Sequence, residues 1–219
     1  MFLRTGSFAF LGTLAIFWMG LACSYSGEPS TEKKPSPRTS APTKAQPKAA
    51  QKQPMTQTLY DFKSTGKLGE WYVVNDGVMG GVSSSQIRIS KEKTAVFEGT
   101  VSLENYGGFA SIRSGPASYA LQGFKGIRLR IKGDKKTYKL NVRTNRRFDG
   151  VVYQRRFNTT GEWQTVDIPF SELWAGYHGR KMSGMGALDP SKIQNLGFLI
   201  ADKQTGIFRL EIASIQAYR

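Results

Sequence analysis

Apolar and polar residues alternate along short stretches of the chain from residue 59 onward. Residues 127–132 (IRLRIK), 138–143 (YKLNVR) and 208–212 (FRLEI) each place an apolar side chain at every second position. A period of two is typical of β-strands that bury one face. Residues 196–201 (LGFLIA) are almost uniformly apolar, which favours a strand covered on both faces.

Turn-forming residues separate these runs, and no helical period persists beyond a few residues. The best short helix covers residues 191–194, with Asp189 as its cap and Pro190 at its first position. Roughly eight or more strands within residues 59–219 predict an all-β fold, a two-sheet sandwich of the jelly-roll type. A chain of this length buries about two-thirds of its unfolded surface, so the fold needs no disulfide.

The N-terminal stretch has the pattern of an export signal. Residues 8–22 (FAFLGTLAIFWMGLA) are almost wholly apolar and follow Arg4, and the next charge is Glu28. The single cysteine, Cys23, stands where cleavage would fall, which resembles a bacterial lipoprotein box. We therefore expect residues 1–23 to be a signal segment and Cys23 to be lipidated. An ordinary cleavage site and an uncleaved anchor are the alternatives.

Residues 24–58 are rich in Pro, Lys, Ser, Thr, Ala and Gln, with almost no large apolar side chains. Such a segment cannot bury enough surface to offset chain entropy, so it predicts a disordered linker ahead of a domain at residues 59–219. Together with the signal, the linker indicates a lipoprotein that is anchored in the membrane of a bacterial cell envelope, on its periplasmic or extracytoplasmic side.

The charge balance points to an acidic partner. The chain has 31 Lys and Arg against 16 Asp and Glu, a formal net charge of +15. An anionic membrane surface, nucleic acid or an acidic protein would suit this charge, and so would a merely soluble basic surface. An exported protein rarely meets nucleic acid, so we expect no nucleic-acid partner. With one cysteine and one histidine, His178, we expect no metal site, no cofactor and no catalysis by His or Cys.

Two groups of residues are candidates for binding. In the glycine-rich loop of residues 75–83, Asn75 and Asp76 could hold a ligand, or they could hydrogen-bond their own backbone. Polar and aromatic side chains opposite the apolar face of three predicted strands could form one basic face, with arginine forks for anions and rings for stacking. The alternative is a solvated sheet face. These residues are Phe109, Arg113, Asn141, Arg143, Tyr153 and Arg155.

Residues 71–83 (WYVVNDGVMGGVS) closely resemble the opening signature of the complex I intermediate-associated protein 30 family. Further matches follow in the family's order at residues 108–114 (GFASIRS), 149–153 (DGVVY), 167–170 (DIPF), 197–202 and 208–215. The resemblance implies a galactose-binding-domain-like jelly roll, a fold that many carbohydrate-binding modules also use. It further implies a role like that of the mitochondrial members, which act as assembly chaperones for NADH:ubiquinone oxidoreductase.

These observations favour a non-catalytic binding module that is tethered in the cell envelope. Its partner would be a protein, including a membrane complex, and its role that of an assembly factor. A carbohydrate-binding module facing cell-wall or extracellular glycan is the second hypothesis. An enzyme is the third, since the sequence does not exclude an acid/base pair of carboxylates.

Overall fold

The described residues, 55–147 and 149–219, form two antiparallel β-sheets in a computed structural model. The strands are β1 (Thr56–Asp61), β2 (Trp71–Val73), β3 (Ser84–Ile89), β4 (Ala95–Val101), β5 (Ala110–Ser114), β6 (Gly126–Lys132), β7 (Thr137–Arg143), β8 (Val152–Asn158), β9 (Gln164–Pro169), β10 (Trp174–Tyr177), β11 (Arg180–Lys181), β12 (Asn195–Ile200) and β13 (Gly206–Tyr218). Helical turns are short: α1 (Phe62–Thr65) and the 3₁₀ segments Asp76–Met79, Glu104–Tyr106, Phe170–Glu172 and Pro190–Lys192.

One sheet has six strands, in the order β3-β4-β13-β6-β9, with β1 added to β13. The other has seven, in the order β11-β10-β8-β7-β12-β5-β2. Sequence neighbours are mostly not sheet neighbours, which is characteristic of a jelly roll rather than a simple meander. The predicted all-β sandwich is confirmed.

Alternation along the strands produces the core between the sheets. In β6, Ile127, Leu129 and Ile131 are all 0% exposed, while the arginines between them face solvent. In β12, which is apolar after Asn195, every residue but Leu199 is buried, as the sequence pattern predicted. Burial of these aliphatic side chains is the main stabilising contribution to such a sandwich, about 25 cal/mol for each Å² removed from water.

The strand β13 keeps its apolar residues on one side with the help of a bulge. Phe208, Leu210 and Ile212 follow strict alternation, but the next core residue is Ile215, three positions later. The register between β13 and β6 shifts between Ile212 and Ser214. The extra residue of a bulge allows this, because it re-aims the side chains that follow.

Two details of the domain differ from the sequence prediction. The first strand begins at Thr56, three residues before the predicted domain start at Leu59, because residues 56–61 pair with β13 from Tyr218 to Ser214. Backbone hydrogen bonds to β13 hold this stretch as a strand. The pattern of its side chains does not indicate a strand before residue 59. The predicted helix at residues 191–194 is a 3₁₀ turn at Pro190–Lys192, and the Asp189 side chain accepts from Ser191 N as predicted for its cap.

The predicted signal segment, the lipidation at Cys23 and the linker up to residue 54 lie outside the described residues. Within residues 55–147 and 149–219, no helix has the length and apolar character needed to cross a bilayer.

Candidate functional site

Six positions line up across the outer face of the seven-stranded sheet. Directly opposite residues of antiparallel strands point to the same side, and successive pairs lead from β2 at one edge to β10 near the other. This transverse row consists of Tyr72, Arg113, Gly197, Asn141, Gln154 and Trp174. Neighbours such as Ile112, Phe198 and Leu140, all 0% exposed, point into the core, so the row points away from it. With about 4.8 Å between strands, the row is about 24 Å long.

Aromatic rings lie at both ends of the transverse row, and polar groups lie between them. Tyr72 is 43% exposed and Trp174 is partly exposed, whereas Gln154 in the interior of the row is buried. Rings can stack on flat apolar faces of a ligand, and amide or guanidinium groups can fix its orientation. A ligand on this face would therefore contact the exposed rings and the partly exposed Arg113 and Asn141, while Gln154 and Gly197 are covered.

Two arginines meet near the middle of this face, on either side of β12. Arg113 is opposite Gly197 and Arg143 is opposite Asn195, and both side chains are half-buried. Burial, together with the positive charge of Arg113, lowers the pKa of Arg143 to about 10. Burial also lowers the pKa of Arg113. The face thus holds two charged, partly desolvated guanidinium groups close to one another.

The carboxylate of Asp149 is the acidic neighbour of this pair. Its negative charge favours the protonated form of both arginines, which partly offsets the effect of burial on their pKa values. The same carboxylate lies 3.0 Å from Nε2 of His178, and this hydrogen bond lowers the pKa of Asp149. Both side chains are about 60% exposed, so the pair remains well hydrated.

The expectation that Tyr153 and Arg155 share this face is wrong. Tyr153 is opposite Val142 and Arg155 is opposite Leu140, so both point to the core side of the sheet. Tyr153 is 9% exposed and its hydroxyl donates to the Gly186 carbonyl at 3.1 Å. At the margin of the core, Arg155 forms an ion pair with Glu172. The predicted alternation in β8 is thus one residue out of phase with the observed pairing.

Asp76 serves the structure of its loop rather than an open binding site. Its side chain is 0% exposed and accepts from Ser83 N at 3.0 Å, from Ser83 Oγ at 2.5 Å, from Gly108 N at 2.7 Å and from Phe109 N at 3.2 Å. Burial raises the pKa of Asp76, but these hydrogen bonds outweigh it and hold the pKa below the usual value. The carboxylate therefore joins two loops, with donors on Ser83, Gly108 and Phe109 rather than within its own turn.

The two other candidates near this loop have local partners as well. The Asn75 side chain accepts from Ser85 Oγ at 2.7 Å. Phe109 comes immediately before β5, and its backbone carbonyl accepts from Asp76 N at 3.4 Å. Of the eight predicted binding residues, only Arg113, Asn141 and Arg143 are brought together on the outer face by strand pairing.

Sequence reasoning missed Tyr72, Gln154 and Trp174. Tyr72 falls within the WYVV stretch, where continuous apolar character hides which side chains face solvent. Gln154 and Trp174 belong to β8 and β10, whose pairing joins segments that are remote in sequence. Knowing which strands pair, and in which register, would have identified these residues, but a single sequence does not reveal the pairing.

Within residues 55–147 and 149–219, no group of three or more His, Cys, Asp or Glu side chains is placed to hold a metal ion. The groups on the outer face are arginine forks, amides and rings, which bind and orient ligands.

The family model for complex I intermediate-associated protein 30 matches residues 60–212. The mouse protein named complex I intermediate-associated protein 30, mitochondrial, is 30% identical over 183 residues, which cover 74% of this chain and 56% of the mouse protein. The Drosophila melanogaster protein of the same name is 27% identical over 180 residues, covering 72% of this chain and 61% of the fly protein. The chain thus spans little more than half the length of these relatives.

Solved structures with the same fold include carbohydrate-binding modules. The family 11 carbohydrate-binding module of a Clostridium thermocellum cellulase superimposes with a TM-score of 0.58 at 18% identity, covering 74% of this chain and 94% of the module. An agarase superimposes with a TM-score of 0.51 at 15% identity over 25% of its own chain. At such identities the likeness establishes the jelly-roll fold.

The names of the relatives overturn one expectation. The mouse, Drosophila and Neurospora crassa proteins are all named as mitochondrial, which conflicts with the expected place in a bacterial cell envelope. An apolar N-terminal segment with one early arginine and a cysteine was too general a pattern to assign a compartment. The family resemblance seen in the sequence is confirmed by the match over residues 60–212, and the chain belongs to the complex I intermediate-associated protein 30 family.

Proposed function

We propose that this chain is a non-catalytic binding module that acts as an assembly factor and holds a protein partner on the outer face of its seven-stranded sheet. The observation that carries the proposal is the transverse row, in which rings, amides and Arg113 are placed by strand pairing on one face. Such groups can bind a partner surface. They do not include a nucleophile beside a general base, the arrangement that covalent catalysis uses.

Family membership supports a protein as the partner. The relatives are named for their association with intermediates of complex I, a membrane complex built in stages. Partly assembled complexes expose surfaces that later become buried, and a rigid β-sandwich can cover such a surface without chemical change. The partner in this proposal is a subunit or subcomplex of a respiratory complex I intermediate.

Affinity purification of the full chain from detergent-solubilised membranes tests this function. The wild-type chain should retain complex I subunits, and Tyr72→Ala/Trp174→Ala should lose them because both ends of the row are removed. Tyr106→Ala is the matched control, since this tyrosine is 99% exposed but belongs to the loop between β4 and β5. Retention of the subunits by the double variant, or their loss in the control, would contradict the assigned face.

A carbohydrate ligand is the second candidate, favoured by the rings at the two ends of the row. A distance of about 24 Å between the ends matches an oligosaccharide of a few sugars, and sugars stack on aromatic faces. One module of the same fold was solved with a β-1,3-1,4-mixed-linked tetrasaccharide. Titration calorimetry with that tetrasaccharide is the test: saturable binding that Trp174→Ala removes would favour this candidate, and no heat of binding would exclude this glycan.

A further inference from the structure

Two loops lie side by side at one end of the seven-stranded sheet. The first comprises residues 144–147 and 149–151, between β7 and β8, and the second comprises residues 177–187, from the end of β10 through β11. The Asp149 carboxylate joins them, since it lies 3.0 Å from Nε2 of His178 and accepts from the Tyr177 hydroxyl at 3.3 Å. These contacts hold the two loops next to one another, and we call them together the basic end.

The second loop is attached to the body of the sheet at two points. The backbone N–H of Met182 donates to the Ala175 carbonyl at 2.9 Å, and the Tyr153 hydroxyl donates to the Gly186 carbonyl at 3.1 Å. Ala175 and Tyr153 are both buried, so the loop is fixed to residues of the core. Between the two attachment points, the side chain of Met185 is exposed to solvent.

Four cations of the basic end are exposed, and none of them forms an ion pair with a described residue. They are Arg146, Arg147, Arg180 and Lys181. The two loops contain one carboxylate, that of Asp149, which can offset one of these charges at most. Elsewhere in the domain, partly exposed arginines such as Arg128 and Arg156 have carboxylate partners. The basic end is therefore a local excess of positive charge, which attracts an anionic surface.

Apolar side chains are exposed among these cations. Tyr177 is 40% exposed, Met182 is 36% exposed and Met185 is 43% exposed. Exposed apolar groups interspersed with Lys and Arg are typical of surfaces that bind a bilayer, where the apolar groups enter the headgroup region and the cations contact the phosphates. A nucleic-acid backbone would match the charges, but it offers no apolar phase for the two methionines. The combination therefore favours a lipid surface.

We propose that the basic end docks on an anionic lipid bilayer, with its four cations at the level of the phosphates and Met182 and Met185 in the headgroup region. Each Lys or Arg close to such a surface strengthens binding roughly fivefold, about 1 kcal/mol. This inference goes beyond the proposed function and does not depend on it, because the protein partner is held there through Tyr72 and Trp174, which lie outside the basic end.

A fluorescent label in the second loop of the full chain tests this docking. Nitrobenzoxadiazole, whose emission rises in an apolar environment, is attached at Ser183→Cys after the natural cysteine, Cys23, is changed to Ser. The readout is local because the apolar residues 8–22 can bind a bilayer themselves. Vesicles of equal parts phosphatidylcholine and phosphatidylglycerol should raise the emission, and vesicles of phosphatidylcholine alone should not. High salt should reverse the rise, since it screens the charges.

A pair of double variants separates a docking site from general charge attraction. Arg147→Gln/Lys181→Gln removes one cation from each loop and should raise the lipid concentration at half-maximal emission at least tenfold, about 1.4 kcal/mol. Lys135→Gln/Lys203→Gln is the matched control, since these exposed lysines lie in the turns before β7 and after β12, at the other end of the same sheet. It should shift that concentration less than about threefold, because charges remote from the contact are screened.

Equal shifts in the two double variants would overturn the site, because net charge alone would then explain the binding. The absence of a rise on anionic vesicles with the wild-type loops would overturn it too. Met182→Ser/Met185→Ser keeps all four cations and should reduce the rise; unchanged emission would contradict contact of the methionines with lipid. A labelled RNA hairpin that binds the chain and loses this binding in Arg147→Gln/Lys181→Gln, with no response to vesicles, would overturn the bilayer as the occupant.

The failure of this inference differs from failure of the proposed function. If the label does not respond to anionic vesicles while the chain retains complex I subunits from solubilised membranes, the docking site is wrong and the assembly role stands. If the label responds through Arg147 and Lys181 but no subunit is retained, the docking site stands and the assembly role is wrong.

Discussion

The ammonium group of Lys139 lies 2.7 Å from the carboxylate of Asp202, and the lysine side chain is only 6% exposed. The same carboxylate accepts from Arg156 Nε at 2.7 Å. The hydrogen bond from Arg156, together with that from Lys139, lowers the pKa of Asp202 against the effect of burial. One carboxylate thus neutralises a buried lysine and connects β7, β8 and the turn after β12.

Asp202→Asn is expected to lower the free energy of unfolding by about 2–4 kcal/mol, because it leaves the buried Lys139 charge without its counter-charge. Asn tolerates the left-handed backbone at this position, where φ is +60°. The loss of stability would therefore come from the missing negative charge and not from backbone strain. Urea unfolding followed by tryptophan fluorescence measures it. A second change, Lys139→Met, should restore most of the stability.

The ion pair between Arg128 and Asp167 is the matched control, since its side chains are 38% and 41% exposed. Asp167→Asn should cost less than about 1 kcal/mol. Equal losses at Asp202 and Asp167 would show that burial of Lys139 is not what makes the first pair important.

Asp76→Asn is expected to destabilise the domain by about 2–4 kcal/mol, since an amide group would place a donor against N–H donors of the two loops. The effect should depend on pH. Because the folded pKa of Asp76 is lowered, its contribution is complete above the unfolded pKa of about 3.9 and is lost as the pH falls through the folded value. The difference in the free energy of unfolding between wild type and variant should therefore become smaller below about pH 4. A difference that stays constant down to pH 2.5, measured by thermal unfolding at each pH, would contradict the assigned role.

Gly81→Ala should destabilise the same loop, whereas Gly77→Ala should not. A Cβ atom at Gly81 would lie 2.4 Å from Cγ of Asp76, while nothing lies within 4 Å of one at Gly77. We expect a loss of about 1–3 kcal/mol at Gly81 and a change within about 0.5 kcal/mol at Gly77. Thermal unfolding of the two variants checks this. Similar losses of stability at both glycines would show that a clash with Asp76 is not what destabilises Gly81→Ala.

Arg143→Gln should raise the free energy of unfolding, by about 0.5–1 kcal/mol after allowance for solvent screening. The folded pKa of this arginine, about 10, is below its usual value, so its charge opposes folding at neutral pH. This penalty is complete below about pH 10 and is relieved as the pH rises towards the unfolded pKa. Chemical unfolding at pH 7 measures the change, and a clear loss of stability would mean that favourable contacts, such as the hydrogen bond from Arg143 Nη1 to the Gly150 carbonyl at 3.4 Å, outweigh burial.

The sequence predicted the strands and the sandwich because both depend on local alternation, which residues 127–132 and 208–212 display plainly. It predicted Arg113, Asn141 and Arg143 correctly as members of one face, since β5 and β7 both keep their alternation. It failed at β8, where polar residues on both faces leave the phase of the strand open, and at Tyr72 and Trp174, which join the row only through pairing between distant segments. The role of Asp76 was open for a similar reason: its donors, Ser83, Gly108 and Phe109, include two more than thirty residues away.

The position of β13 has a consequence for how the chain reaches this fold. It comes last in chain order among the described strands, yet it lies between β4 and β6 and also pairs with β1. A ribosome therefore completes every other described strand before the central one exists, and the six-stranded sheet cannot close before residues 206–218 have been made. Until then β4, β6 and β1 lack the strand that they share as a partner, although the seven-stranded sheet, which does not contain β13, can already pair. During that interval the apolar sides of β4 and β6 have no complete sheet to pack in, which is the stage at which the growing chain is most exposed to aggregation.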